Sequence, residues 1–116
     1  MRKFLFIAII LSFIGCNYIK QPTRLKNIPA DAFWSGGSDG GFWFLIEKSN
    51  EKNKTIHFKI YNDHSGDIVA DKDFKLQCEP GTKFNWSEIP DLIDWYDLTK
   101  IWLDIRQKKG TTCYFE

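Results

Sequence analysis

The stretch from residue 55 to residue 61 alternates strictly between apolar and more polar side chains. Ile56, Phe58 and Ile60 share one face, and Tyr61 belongs to the opposite one. A period of two places successive side chains on opposite faces of a strand, so this stretch predicts an antiparallel strand with one buried face. The fold must therefore contain a sheet that packs one side on a core.

Clusters of turn-forming residues divide the rest of the chain. Residues 35–41 (Ser-Gly-Gly-Ser-Asp-Gly-Gly) and residues 62–67 predict two hairpin loops. Cys78 falls on the apolar face of the strand that follows the second loop, so it is predicted to point inward. The predicted strands are 32–34, 42–46, 55–61, 68–78, 98–106 and 111–115.

One segment departs from the period of two. Apolar residues recur at helical spacing from Ile89 to Tyr96, after Ser87, which is predicted to cap the helix. Asp91 and Asp94 would then face solvent. The sequence thus predicts an α+β fold, a small antiparallel sheet of five or six strands with one short helix. An all-β sandwich or barrel is the alternative if the helix is only a turn.

The first fifteen residues have the composition of an export signal. Arg2 and Lys3 precede an apolar run, residues 4–14, that only Ser12 interrupts. A helix of this length spans about 16 Å, roughly half of a bilayer core. A signal peptide over residues 1–15 is therefore favoured over a membrane-spanning helix.

The end of this run, Phe13-Ile14-Gly15-Cys16, resembles the lipobox of bacterial lipoprotein precursors, with Phe13 in place of the usual leucine. The resemblance implies diacylglycerol on the Cys16 thiol, cleavage before Cys16 and acylation, for example with palmitate, of the new amine. Asn17 then implies the outer membrane. Two or three acyl chains would hold the protein to the bilayer stably. An uncleaved anchor that ends at Cys16 is the alternative.

The two other cysteines, Cys78 and Cys113, are predicted to form one disulfide. An exported protein folds in an oxidising compartment, where an even number of remaining thiols indicates a bridge. A redox or metal pair is the alternative. Neither cysteine has a CxxC partner, and His57 and His64 do not complete a zinc-ligand spacing.

Domain organisation follows from these segments. Residues 16–29 are polar and contain Pro22 and Pro29, which predicts a lipidated tether before a single β-rich domain of residues 30–116. Because Arg2 and Lys3 leave with the signal, 14 basic and 15 acidic side chains remain, a net charge of −1. Nucleic acid binding is not expected, since it requires a basic field.

Two features near the turns could hold a ligand. Asp39 lies in the glycine-rich loop, which is interpreted as a tight turn or as a partner contact. A phosphate-binding loop would open a helix, and a calcium loop needs more carboxylates. His57, Asp63 and His64 are too loosely spaced to predict a metal site. Neither a metal nor a cofactor is therefore predicted.

The C-terminal third carries four aspartates near two tryptophans, a pattern found in sugar-binding surfaces and glycosidases. A solvated helix face beside core tryptophans produces the same pattern. Trp102 is predicted to face outward, and an exposed large aromatic residue often marks a contact surface. The residues in this region are Asp91, Asp94, Asp97, Asp104, Trp95 and Trp102; Asp91, Asp94, Trp102 and the loop residue Asp39 are the predicted partner contacts.

None of the serines lies in a nucleophile-elbow pattern, and no catalytic residues are predicted. The sequence predicts a non-enzymatic envelope lipoprotein with a binding or structural role, whose partner is an envelope protein or peptidoglycan. A periplasmic inhibitor or immunity-type protein is the alternative, because acidic side chains can occupy a basic active site. A small hydrolase that uses Asp91, Asp94 or Asp104 is a third hypothesis.

Overall fold

The computed structural model describes residues 21–105 and 112–116, which contain seven antiparallel strands in one sheet. The signal segment, Cys16 and the predicted turn at 108–110 lie outside these residues. The strands are β1 (Phe33–Gly37), β2 (Gly40–Asn50), β3 (Thr55–Asn62), β4 (Ile68–Cys78), β5 (Ile93–Tyr96), β6 (Ile101–Leu103) and β7 (Cys113–Phe115), and the helix α1 (Ile89–Leu92) precedes β5.

The sheet curves into a nearly closed barrel. Its strand order is β1-β2-β3-β4-β7-β6-β5, so β1 and β5 are the two edges. These edges approach each other, and the Ser35 hydroxyl donates a hydrogen bond to the Ile93 carbonyl oxygen at 3.1 Å. They do not pair as strands. The all-β barrel alternative therefore describes the fold better than an α+β sheet of five or six strands.

The predicted short helix is present, but it covers only Ile89–Leu92 and does not extend to Tyr96. A 3₁₀ turn (Trp86–Glu88) leads into α1. Asn85 caps this 3₁₀ turn, since its side-chain oxygen accepts from the Ser87 N–H at 3.1 Å, and Ser87 does not cap α1. The helix ends at Leu92, after which Ile93 turns extended and pairs with Leu103. One helical turn followed by a strand buries the same apolar residues, and pairing with β6 satisfies the backbone of β5.

The barrel interior is built on aromatic rings around Phe58. Its ring meets those of Phe44, Phe74 and Phe115 edge-on, with centroids 5.6 to 6.0 Å apart. Such arrangements add to the stabilisation that burial provides. Ile56, Phe58 and Ile60 are all buried, which confirms the predicted inward face of β3.

The opposite face of the sheet carries a second, smaller apolar cluster. Tyr61, predicted to face outward into solvent, is buried there beside Trp43. The prediction was wrong because Ile28 and Ala32, which precede β1, cover this face. A period of two assigns a residue to a face, but it does not reveal that another segment covers that face.

The segment predicted to be a tether contacts the barrel from Arg24 onward. The Arg24 guanidinium lies 4.6 Å from the centre of the Trp43 ring and donates a hydrogen bond to the Ala32 carbonyl oxygen at 2.8 Å. Asn27 donates to the Gly66 carbonyl oxygen in the turn between β3 and β4. These contacts fix residues 24–32 along the outside of the sheet.

Cys78 and Cys113 form the predicted disulfide, with sulfur atoms 1.98 Å apart. They are directly paired residues of β4 and β7. Cys113 is buried, whereas Cys78 is exposed, contrary to the prediction, because it is the last residue of its strand. The bridge therefore joins the end of β4 to the interior of the barrel. In residues 21–105 and 112–116, no helix has the length and hydropathy that a membrane span requires.

Candidate functional site

The main candidate site is a cleft of about 500 Å³ between the two unpaired edges of the barrel. The β1–β2 hairpin forms one wall, around Gly36 and Gly37, and residues 94–96 of β5 form the other. The turn at residues 62–64 closes one end. The volume of the cleft is within the range of ordinary ligand sites.

Aromatic side chains line the base of this cleft. The Tyr96 ring lies edge-on to Phe42, with centroids 5.0 Å apart, and edge-on to Phe44 at 6.1 Å. Burial, and then the charge of Asp97, raise the pKa of the Tyr96 hydroxyl above its usual value. The base is therefore apolar and continuous with the aromatic core.

Asp63 holds the hairpin wall in place. Its Oδ2 accepts hydrogen bonds from the Gly41 N–H at 2.7 Å and from the Trp34 indole N–H at 3.3 Å. Only 4% of the Asp63 side chain is exposed, so this carboxylate is a buried acceptor for the β1–β2 hairpin. The neighbouring His64 is 83% exposed, and its Nε2 lies 3.6 Å from Asp63 Oδ1.

The glycines that were predicted to form a long loop are mostly strand residues. Only Ser38 and Asp39 form the turn, and the strands on either side approach very closely. A Cβ atom at Gly41 would lie 2.3 Å from the Ser35 carbonyl oxygen, and one at Gly36 would lie 2.4 Å from the Gly40 carbonyl oxygen. Glycine is required there because no side chain fits between the two backbones.

The cleft is acidic. Asp39, Asp63 and Asp94 line it together with His64, and no lysine or arginine of the described chain does so. A concave surface with charges of one sign concentrates the field and attracts the opposite charge. The structure thus brings together two of the predicted contacts, Asp39 and Asp94.

The other two predicted contacts lie elsewhere. Asp91 is exposed but does not line the cleft. Trp102 is half-buried on the outer face of β6, where its ring lies 4.9 Å from that of Tyr114 and the Lys100 ammonium group lies 5.5 Å above it. Trp102 thus lies on the outward face that strand parity predicted, and these neighbours cover part of its ring.

Trp95 is the exposed aromatic residue that the sequence analysis did not single out. It lines the cleft and is 56% exposed. Because a helix was predicted for this segment, the alternation of a strand was not used to assign Trp95 to a face. Its position directly after the charged residue Asp94, in a short strand in which Ile93 is the buried residue, was the available signal.

His57, Asp63 and His64 do not form one group. His57 lies on the outer face of β3, where Nε2 is 2.6 Å from Asp71 and Nδ1 is 2.8 Å from Asp73. The hydrogen bonds to Asp71 and then to Asp73 raise the pKa of His57 above its ordinary value of 6.5. Among the residues that the structure describes, no cluster of three or more His, Cys, Asp or Glu side chains could hold a metal ion.

Comparison of the chain with protein-family models, with curated proteins and with solved structures finds no match.

Proposed function

We propose that this protein is a lipid-anchored binding protein of the bacterial cell envelope, with no enzymatic activity of its own, that holds a protein partner in the cleft between β1 and β5. The observation that carries the proposal is the cleft itself: an apolar base, three aspartates, no lysine or arginine in the described lining, and the exposed Trp95. Aromatic residues at such a position supply contact area at a low cost in side-chain entropy.

The anchor in this proposal is Cys16, acylated as the lipobox resemblance implies, and the outer membrane is the proposed address. Eight peptide links separate Cys16 from Arg24, the first residue that the structure fixes on the barrel. A fully extended chain covers about 3.3–3.6 Å per residue, so the segment between Cys16 and Arg24 spans less than about 30 Å. A partner must therefore come close to the membrane surface.

A second candidate is the periplasmic inhibitor or immunity-type protein. The aspartates of the cleft favour it, because acidic groups on one face steer association with a basic active site. The two candidates differ in outcome: an inhibitor abolishes the turnover of its captured enzyme at equal concentration, whereas a holding protein leaves that turnover unchanged.

The anchor is tested by the intact mass and by the membrane fraction of the protein. The wild-type chain should lack residues 1–15 and carry acyl groups on Cys16, and Cys16→Ser should remain an unlipidated precursor. Cys78→Ser with Cys113→Ser is the matched control, since it removes two thiols without touching the lipobox. If Cys16→Ser stayed in the membrane fraction and carried the same added acyl mass as the wild-type protein, the lipid anchor at Cys16 would be contradicted.

The cleft is tested by a photocross-linking amino acid, benzoylphenylalanine, placed at residue 95 in cells. Position 68 is the matched control, because Ile68 is similarly exposed, 52%, but lies outside the cleft. We expect one protein adduct from position 95 that is weaker in Asp94→Asn and absent from position 68. Peptidoglycan as the only adduct, or equal adducts from both positions, would overturn the proposed partner site.

A further inference from the structure

The hairpin wall of the cleft is also a free strand edge. Among the strands that the structure describes, β1 pairs only with β2, and the other edge of the sheet, β5, meets it through the hydrogen bond from the Ser35 hydroxyl to the Ile93 carbonyl oxygen, without a strand ladder. Unpaired strand edges present backbone donors and acceptors that another extended chain can use. β1 therefore has backbone groups without a strand partner along the cleft.

The strand register identifies which backbone groups these are. Gly41 directs its N–H away from β1, to Asp63, and it is paired with Gly36. In an antiparallel pair the N–H and C=O of one residue point to the same side, and this side alternates along the strand. Ser35 therefore bonds to Phe42 within the hairpin, whereas Gly36 and Trp34 direct their N–H and C=O away from β2, and Gly36 lies in the cleft lining.

The side chains at this edge leave room for an incoming strand. Gly36 and Gly37 carry no side chain, and nothing lies within 4 Å of the position where a Cβ of Gly37 would stand. Trp95 faces them across the cleft and is more than half exposed. A strand added to β1 would thus meet an open position at Gly37 and the Trp34 ring beside Gly36, with Trp95 across the cleft.

Charge restricts the sequence of such a strand. Asp39 and Asp94 are exposed in the lining, and no described lysine or arginine balances them there. An extended segment with lysine or arginine at alternate positions would pair its backbone with β1 while its cations reach these carboxylates. A segment with acidic residues at those positions would be repelled.

We infer that the cleft binds an extended basic segment of its partner by strand addition to β1, through the N–H and C=O groups of Gly36 and Trp34. This inference rests on the proposed function and gives the chemistry of the bound segment. It makes binding depend on two separable quantities, the backbone of the ligand and the charge of the cleft.

The test uses the purified full chain in detergent and three synthetic peptides. The first alternates lysine and valine, the second replaces each lysine by glutamate, and the third is the lysine peptide with every second backbone nitrogen methylated. We expect the lysine peptide to bind and N-methylation on the pairing edge to weaken it at least about tenfold, because methylated nitrogens cannot donate and obstruct pairing. The glutamate peptide should not bind.

Protein variants test the charges separately. Asp39→Asn and Asp94→Asn should each weaken the lysine peptide about two- to fivefold, as expected for exposed ion pairs. Asp91→Asn is the matched control, because Asp91 is an exposed aspartate outside the cleft, and it should have no effect. The difference in peptide affinity between the wild-type protein and the Asp39→Asn and Asp94→Asn variants should decrease as salt is added.

Amide hydrogen exchange with the peptide bound locates the pairing directly. The amides of Gly36 and Trp34 should exchange more slowly with the lysine peptide present, while that of Ser35, already bonded within the hairpin, should not change. Equal binding of the N-methylated peptide, unchanged exchange at Gly36, or no binding of the lysine peptide would overturn strand addition. If strand addition failed but the cross-link at residue 95 still depended on Asp94, the proposed function would stand without strand addition. If the cross-link also failed to form, the proposed function would be overturned as well.

Discussion

Two parts of the barrel are held together in different ways. The long-strand half consists of β2, β3 and β4, with 11, 8 and 11 residues, joined by two long ladders that each contain one register shift. These strands enclose the rings around Phe58. The short-strand half consists of β5, β6 and β7, with four, three and three residues. Such short ladders supply few backbone bonds, and the disulfide between Cys78 and Cys113 joins this half to β4.

The difference explains where a binding site can form. In the long-strand half every strand has two partners among the described strands, although β4 pairs with β7 only from Leu76 to Cys78. At the far ends of the sheet, the short β5 does not pair with β1, and the cleft lies between them. The part of a fold with the fewest cooperative contacts is also the part that can exchange its contacts for those of a partner.

The largest effect is expected from Phe58→Ala. The ring of Phe58 is completely buried among three other rings, and truncation of such a residue typically costs about 3–5 kcal/mol of unfolding free energy. Urea denaturation of the full chain in detergent measures the change. Trp95→Ala is the control and should stay within about 0.5 kcal/mol, because Trp95 is exposed. Similar losses in both variants would contradict the assignment of the core.

Removal of the disulfide should affect the short-strand half more than the long-strand half. The bridge closes a loop between residues 35 apart, for which the chain-entropy model gives about 3–4 kcal/mol. In Cys78→Ala with Cys113→Ala, amides of β6 and β7 should lose protection from hydrogen exchange before those of β2 and β3. Uniform loss of protection throughout the barrel would show that the two halves are not distinct.

Asp63→Ala tests the support of the hairpin wall. It leaves the Gly41 N–H and the Trp34 indole N–H without their acceptor, which should cost about 1–3 kcal/mol. Asp39→Ala is the control: Asp39 is exposed in the turn, and its loss should change stability little. Faster exchange of the Gly41 amide in Asp63→Ala alone would place the effect at the cleft. Equal stability of both variants would show that Asp63 does not hold the hairpin.

The smallest effect concerns pH and the outer face of the long-strand half. Because hydrogen bonds to Asp71 and Asp73 raise the pKa of His57, its protonated form favours the folded state. This stabilisation is fully present below the unfolded pKa of about 6.5 and is lost as the pH rises through the folded value. It should amount to less than about 1 kcal/mol, since the group is accessible to solvent.

NMR titration of His57 checks this expectation. The midpoint should lie above 6.5 and fall in Asp71→Asn, the partner with the larger influence. His57→Gln should remove the corresponding part of the pH dependence of stability. A midpoint at or below 6.5 in the wild-type protein would contradict the hydrogen bonds from His57 to Asp71 and Asp73.

The same division separates the parts of the fold that the sequence predicted from those that it did not. Alternation over residues 55–61 is long enough to define a strand, and its inward residues were correctly predicted. In the short-strand half, four residues from Ile93 to Tyr96 fit a helical turn as well as a strand. Only pairing with β6, a contact that the local pattern does not contain, decides between the two.

The candidate site was predicted only in part for a related reason. Asp39 and Asp94 were selected individually from their composition and position, but their meeting depends on how the two edges of the barrel approach. Burial of Tyr61 by Ile28 and exposure of Trp95 beside the hairpin also follow from contacts between segments distant in sequence. Hydrophobic periodicity describes one secondary-structure element at a time, so it does not predict which distant segments come into contact.

The proposed binding cleft requires that β1 and β5 are unpaired in the free protein. Amide hydrogen exchange at single-residue resolution, on the full chain without peptide, measures this directly. We expect the amide of Gly36 to exchange much faster than that of Ser35, its neighbour bonded within the hairpin. Equal protection of the two amides would mean that the barrel is closed by strand pairing, and the cleft would then have no free edge to offer a partner.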